Sequence, residues 1–307
     1  MDKSLVRKLQ SATSLPSMPL VAAKLIELLD DQDASPEELA KVISLDVALS
    51  ARIVSVSNSP LFHRASASQT VLQAVTTLGM DRATAVSLGF SLRSSILADN
   101  KSGIDYDLFW RRSLLVATCA KFIAVTASKV KPETAFLIGL LQDIGIIALD
   151  KVGAEFYQSL QPAEQRDHAR LTEYENIRLG TDHCEVGAWL LDHWQLPDNI
   201  VESVRHSDQT VHAEEYASAE YGATLAVSIE LADLLLPADR ERSLANVNAG
   251  LQRHWQIDAS WHVSYAAQLS EVIGEVEQIF EQMLTEVSDI GELLQAADTL
   301  RSSHLRS

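Results

Sequence analysis

Six polar residues, Arg112, Gln142, Asp143, His183, His206 and Asp233, each lie within apolar sequence at helical spacing, and their types are those of a cation or metal site. Histidine and carboxylate ligands drawn from separate helices suit Mn, Fe or Zn, and in hydrolases such a metal lowers the pKa of a bound water. Asp143 is the most telling of the six. It interrupts an apolar helical pattern over 135–149, is preceded by Gln142, and is followed at one remove by Gly145. An ionised carboxylate in an apolar interior costs several kcal/mol unless a cation, a metal or several donors compensate it. His183 projects from the first turn of a helix opened by Asp182 and Glu185, His206 follows Ile200, Val201 and Val204, and Asp233 lies among Leu225, Ile229, Leu231, Leu234 and Leu235.

The elements that must position these residues are helical. Alanine, leucine, glutamate and glutamine recur at three- and four-residue steps, and alternating β-branched runs bounded by turns are absent, so the pattern predicts an all-α protein. Ser35, Pro36 and Glu38 form a helix start with a capping box. The spacing predicts helices over 46–56, 71–78 and 82–97, and then over 108–130, 132–152 and 217–236. Asn58, Ser59, Phe62, His63 and Arg64 fall on a loop, and polar turn formers at 99–105 mark a boundary. The expected organisation is an N-terminal helical lobe over 1–104, a second lobe over 105–260, and a C-terminal amphipathic helix and tail over 261–307. The last helix carries Leu269, Val272, Ile273, Val276, Ile279, Phe280, Leu284 and Val287 on one face, a stripe that could pack on its own lobe or pair two copies of the chain.

Composition narrows the function. A formal net charge of −17 repels nucleic acid and anionic membrane surfaces. Cys119 and Cys184 are far apart and form no CxxC pair, which argues against disulfides and thiolate zinc sites. No phosphate-binding glycine loop, signal-peptide core or membrane-length apolar run occurs, and a cytoplasmic protein without a nucleotide cofactor is expected.

Six stretches, LPSMP (15–19), EELAKVISLDVALSARIVSVSNSP (37–60), LGMDRA (78–83), FWRRS (109–113), LIGLLQDIG (137–145) and TDHCEVGAWLLDHWQLPD (181–198), resemble the HDOD family, with the resemblance running over 15–236. It implies a bacterial signal-transduction module related to the HD metal phosphohydrolases, with a helical lobe packed on an HD-like lobe and catalysis usually missing. Against the HD pattern, Arg112 stands at the first histidine and Gln142 at the histidine of the His-Asp pair. Ile146 stands at a common lysine, and Ser207 stands where a related subgroup has a second histidine. Asp143, His183, His206 and Asp233 remain. A guanidinium can take the charge role of a lost cation, so Arg112 is expected to pair with Asp143, Asp233 or both. The expected function is a non-catalytic module that binds a small ligand or a signalling partner supplied in trans, with no cofactor. The alternative is a metal-dependent phosphohydrolase using the four surviving residues.

Overall fold

The computed structural model describes residues 7–9, 15–31, 33–62, 67–96, 103–160, 168–207, 219–236, 240–285, 287 and 289–296. Among them the chain is all-α, with no strand. His63, Arg64 and residues 99–102 of the expected boundary lie outside the described residues.

The chain divides into two compact units, one of residues 16–99 with 278–281, the other of residues 1–15, 100–277 and 282–307. The smaller unit contains α1 (Leu20–Asp30), α2 (Pro36–Ile43), α3 (Val47–Ser57), a 3-10 turn (Pro60–Phe62), α4 (Val71–Leu78) and α5 (Met80–Ile96). Ser35 caps α2 as expected: its hydroxyl accepts from the Glu38 N–H, and the Glu38 carboxylate accepts from the Ser35 N–H at 2.9 Å. Asn58 closes the following loop, its side chain donating to the Ser68 carbonyl at 2.9 Å and accepting from the Ser68 N–H at 2.7 Å. Gly79 takes φ of +81° where α4 ends, which lets α5 begin at once.

The larger unit contains α6 (Tyr106–Thr126), α7 (Pro132–Leu141), α8 (Ile144–Ser159), α9 (His168–Leu179), α10 (His183–His193), α11 (Asp198–Arg205), α12 (Ala219–Leu235), α13 (Arg240–Trp255) and α14, whose residues Trp261–Phe280 reach into the set grouped with the smaller unit. In place of one helix over 132–152, the chain turns at Gln142 and Asp143 and starts again at Ile144. The amphipathic helix likewise stops at Phe280 rather than running to Val287. Glu281 takes φ of +52°, and the Glu277 carboxylate accepts the Leu284 N–H at 2.7 Å. Leu269, Ile273, Ile279, Phe280 and Leu284 of its stripe are buried within the chain. Residues 261–277 and 282–307 group with the larger unit, as does Leu9, which is fully buried and comes from the stretch assigned by sequence to the first lobe.

Two glycines set the helix spacings that matter for chemistry. A Cβ at Gly139 would lie 2.7 Å from the Ala117 Cα, so its absence lets α7 lie on α6. A Cβ at Gly145 would lie 1.9 Å from the His183 carbonyl oxygen and 2.6 Å from the Gly187 nitrogen, so α8 and α10 touch backbone to backbone where Asp143 and His183 emerge. Gly145→Ala is expected to lower stability by about 3 kcal/mol, because overpacking against backbone has no side chain to yield. Urea unfolding checks this, and an unchanged midpoint contradicts the close approach.

Candidate functional site

The break between α7 and α8 aims a carboxylate inward. Asp143 holds the N-cap position of α8, yet its side chain caps nothing there. Its Oδ2 instead accepts from Arg112 Nη1 on α6 at 2.5 Å. The other branch of the guanidinium, Nη2, reaches Asp233 Oδ1 on α12 at 3.2 Å. One planar fork thus joins three helices through two carboxylates, and it does so with Arg112 only 7% and Asp143 1% exposed. At this burial the desolvation cost of each charge is large, and removing one partner of such a pair costs about 3–5 kcal/mol.

His183, the first residue of α10, extends the series. Its Nε2 lies 3.7 Å from Asp143 Oδ1, an ion-pair distance rather than a hydrogen bond. Its Nδ1 lies 2.6 Å from Glu175 Oε2 on α9, and the same carboxylate oxygen accepts the His183 backbone N–H at 2.8 Å. Glu175 Oε1 accepts from the Tyr157 hydroxyl on α8 at 2.6 Å. With His183 protonated, Asp233, Arg112, Asp143, His183 and Glu175 alternate in sign along one buried line.

Burial opposes the imidazolium, but the Glu175 carboxylate and the neighbouring Cys184 outweigh it and hold His183 well above the ordinary histidine range. Burial, then the charge and hydrogen bond of Glu175, raises the Tyr157 phenol. Cys119 is raised in the same way, first by burial and then by Asp233, so neither group ionises at neutral pH.

Arg112, Asp143, His183 and Asp233 are thereby brought together, and Arg112 engages both carboxylates. Gln142, also of the six, is completely buried, and among the described residues neither of its amide atoms has a hydrogen-bond partner. His206 ends α11 with its Nε2 3.4 Å from Glu202 Oε2, one turn back on the same helix. Among the described residues no group of three or more His, Cys, Asp or Glu side chains is placed to hold a metal ion. Nor does the donor set fit a metal. A guanidinium lies within hydrogen-bond distance of both aspartates, and its positive charge opposes a metal ion there. Glu175 and Tyr157 escaped the sequence reading. The signal for Glu175 was its spacing four residues after Leu171, which puts a carboxylate on the buried face of α9.

Comparison with known proteins agrees with this architecture. The HDOD domain family model matches residues 15–210. An HDOD domain protein of unknown function from Geobacter sulfurreducens superposes with a TM-score of 0.72 at 24% identity, over 90% of this chain and 97% of that one. A candidate phosphohydrolase from Shewanella amazonensis SB2B gives 0.68 at 24% identity, over 92% of this chain and 98% of that one. At these identities the likeness shows the fold alone. An uncharacterized protein of Treponema pallidum (strain Nichols) is 22% identical over 213 residues, which are 67% of this chain and 40% of that protein, so the chain spans well under half of that relative.

Two outcomes follow from the geometry. The folded pKa of His183 exceeds its unfolded value, so its contribution to stability is full below about pH 6.5 and is lost as pH rises through the folded value. Imidazole NMR should accordingly find His183 still protonated at slightly alkaline pH, and a resonance titrating near the ordinary histidine value would contradict the Glu175 pairing. Gln142→Met removes two unsatisfied buried polar atoms at nearly constant volume and should raise stability by roughly 1–3 kcal/mol in urea unfolding. A loss of stability would show that the amide is held by partners after all.

Proposed function

The chain belongs to the HDOD domain family, and we propose that within it this protein is a non-catalytic signal-transduction module acting by association with a protein partner supplied in trans. The observation that carries this reading is the Arg112 guanidinium bridging Asp143 and Asp233. Metal-assisted hydrolysis needs a divalent ion on those carboxylates, with an open position for water. A buried cation at 2.5 Å from Asp143 repels such an ion and already engages one oxygen of each carboxylate that would bind it. The buried series then serves to fix α6, α8, α9, α10 and α12 relative to one another, and recognition falls to the surface of the module.

Several features fit a protein partner. The net charge of −17 disfavours nucleic acid and anionic membranes and suits a partner with a positive surface. No described helix is long and apolar enough to cross a membrane. Both cysteines are free and buried, which accords with a reducing cytoplasm. Pairing of two copies through α14 would compete with the burial of its own stripe, so light scattering on the full chain should return a monomer mass.

Elemental analysis after incubation with Mn, Fe, Ni or Zn and desalting tests the reading, with Asp143→Ala alongside. Wild type and variant should both retain only background metal. Near-stoichiometric metal in the wild type, lost in the variant, would overturn the non-catalytic reading and favour a phosphohydrolase using Asp143, His183, His206 and Asp233.

A further inference from the structure

The Arg112 side chain does more than neutralise a carboxylate. Its two terminal nitrogens meet acceptors on different helices, Nη1 at 2.5 Å from Asp143 and Nη2 at 3.2 Å from Asp233, so the space it fills is flat and anionic at two edges. Asp143 is held from its other oxygen by His183 Nε2 at 3.7 Å, and His183 in turn by Glu175 at 2.6 Å. The Asp143 side chain is 2% exposed and that of Asp233 14%, so an opening, if the arginine is absent, lies on the Asp233 side.

We propose that Arg112 is the built-in occupant of a cation-binding cavity specific for a guanidinium group, with Asp143 and Asp233 as its recognition elements. The ligand class is a planar organic cation with two parallel or divergent N–H edges: guanidinium itself, or an alkylguanidinium. A compact ammonium cannot touch both acceptors with the same geometry, because lysine offers a point charge where arginine offers a fork. A divalent metal is also a poor match. The cavity supplies two carboxylates from different helices and, among the described residues, no group of three or more His, Cys, Asp or Glu side chains that could hold a metal ion. This inference goes beyond the partner-binding reading and stands or falls separately, since it concerns the arginine-free cavity and not the metal content of the wild type.

The test uses the full chain carrying Arg112→Ala, melted in guanidinium chloride at low, non-denaturing concentration and in sodium chloride of equal strength. The variant should melt well below wild type and recover by about 3–6 °C in the guanidinium salt alone at roughly tenfold excess over its dissociation constant. Wild type should gain nothing. Arg112→Ala/Asp143→Asn/Asp233→Asn, which keeps the space and removes its charge, should also gain nothing. If Arg112→Ala does not fold unaided, refolding yield in the same two salts takes the place of the melt: recovery in guanidinium supports the cavity, and none overturns it. Equal recovery in sodium chloride, recovery in the triple variant, or larger recovery with manganese chloride than with guanidinium would each overturn the assignment.

Discussion

A buried aspartate with nowhere to put its charge is the constraint from which the larger unit is organised. Asp143 sits at a break between α7 and α8, 1% exposed, and its carboxylate makes no cap hydrogen bond to the helix it opens. Arg112 supplies the charge and does so from α6, while its second branch draws in Asp233 from α12. The remaining Asp143 oxygen faces His183, which Glu175 keeps cationic. Each charge therefore has opposite charges as its neighbours along the line. That alternation offsets the cost, several kcal/mol for a charge alone, of placing such groups in or near an apolar interior.

Such a series explains why the backbone approaches so closely around it. Gly145 permits α8 to lie against the first turn of α10, and Gly139 permits α7 to lie against α6. Without both approaches the fork and the imidazole would not reach the same carboxylate. Charge and packing are thus one design: the glycines bring the helices within ion-pair range, and the ion pairs fix the angle at which the helices meet. The same arrangement fits a metal ion poorly, because one oxygen of each aspartate already accepts from a guanidinium.

Much of this was legible in the sequence, for specific reasons. Asp143 stood out because a carboxylate in an apolar run must be compensated. The pairing with Arg112 was legible because the resemblance sets Arg112 at a lost histidine position, and a guanidinium can engage two carboxylates at once. The all-α class followed from periodicity, and the α2 start from Ser35, Pro36 and Glu38. The break at Gln142 was not legible, because the apolar pattern runs on through it and the turn is imposed by tertiary contact at Gly145. The end of α14 at Phe280 was hidden likewise, since Leu284 continues the stripe while the chain reverses at Glu281. Glu175 escaped because its neighbours on α9, Glu173 and Asn176, are exposed and polar, so the buried carboxylate looks like one more solvated residue. His206 shares the apolar setting of the others, and its Nε2 lies 3.4 Å from Glu202 one turn back on α11.

The central claim is that Arg112 and Asp143 depend on one another for their place in the interior. A double-mutant cycle on unfolding free energy, with Arg112→Met, Asp143→Asn and the pair, measures that dependence directly. The account predicts a coupling on the order of 2 kcal/mol or more, with the double variant more stable than the sum of the two single losses implies. A coupling near zero would mean that the two charges are compensated separately, and that the cation at this site is not Arg112.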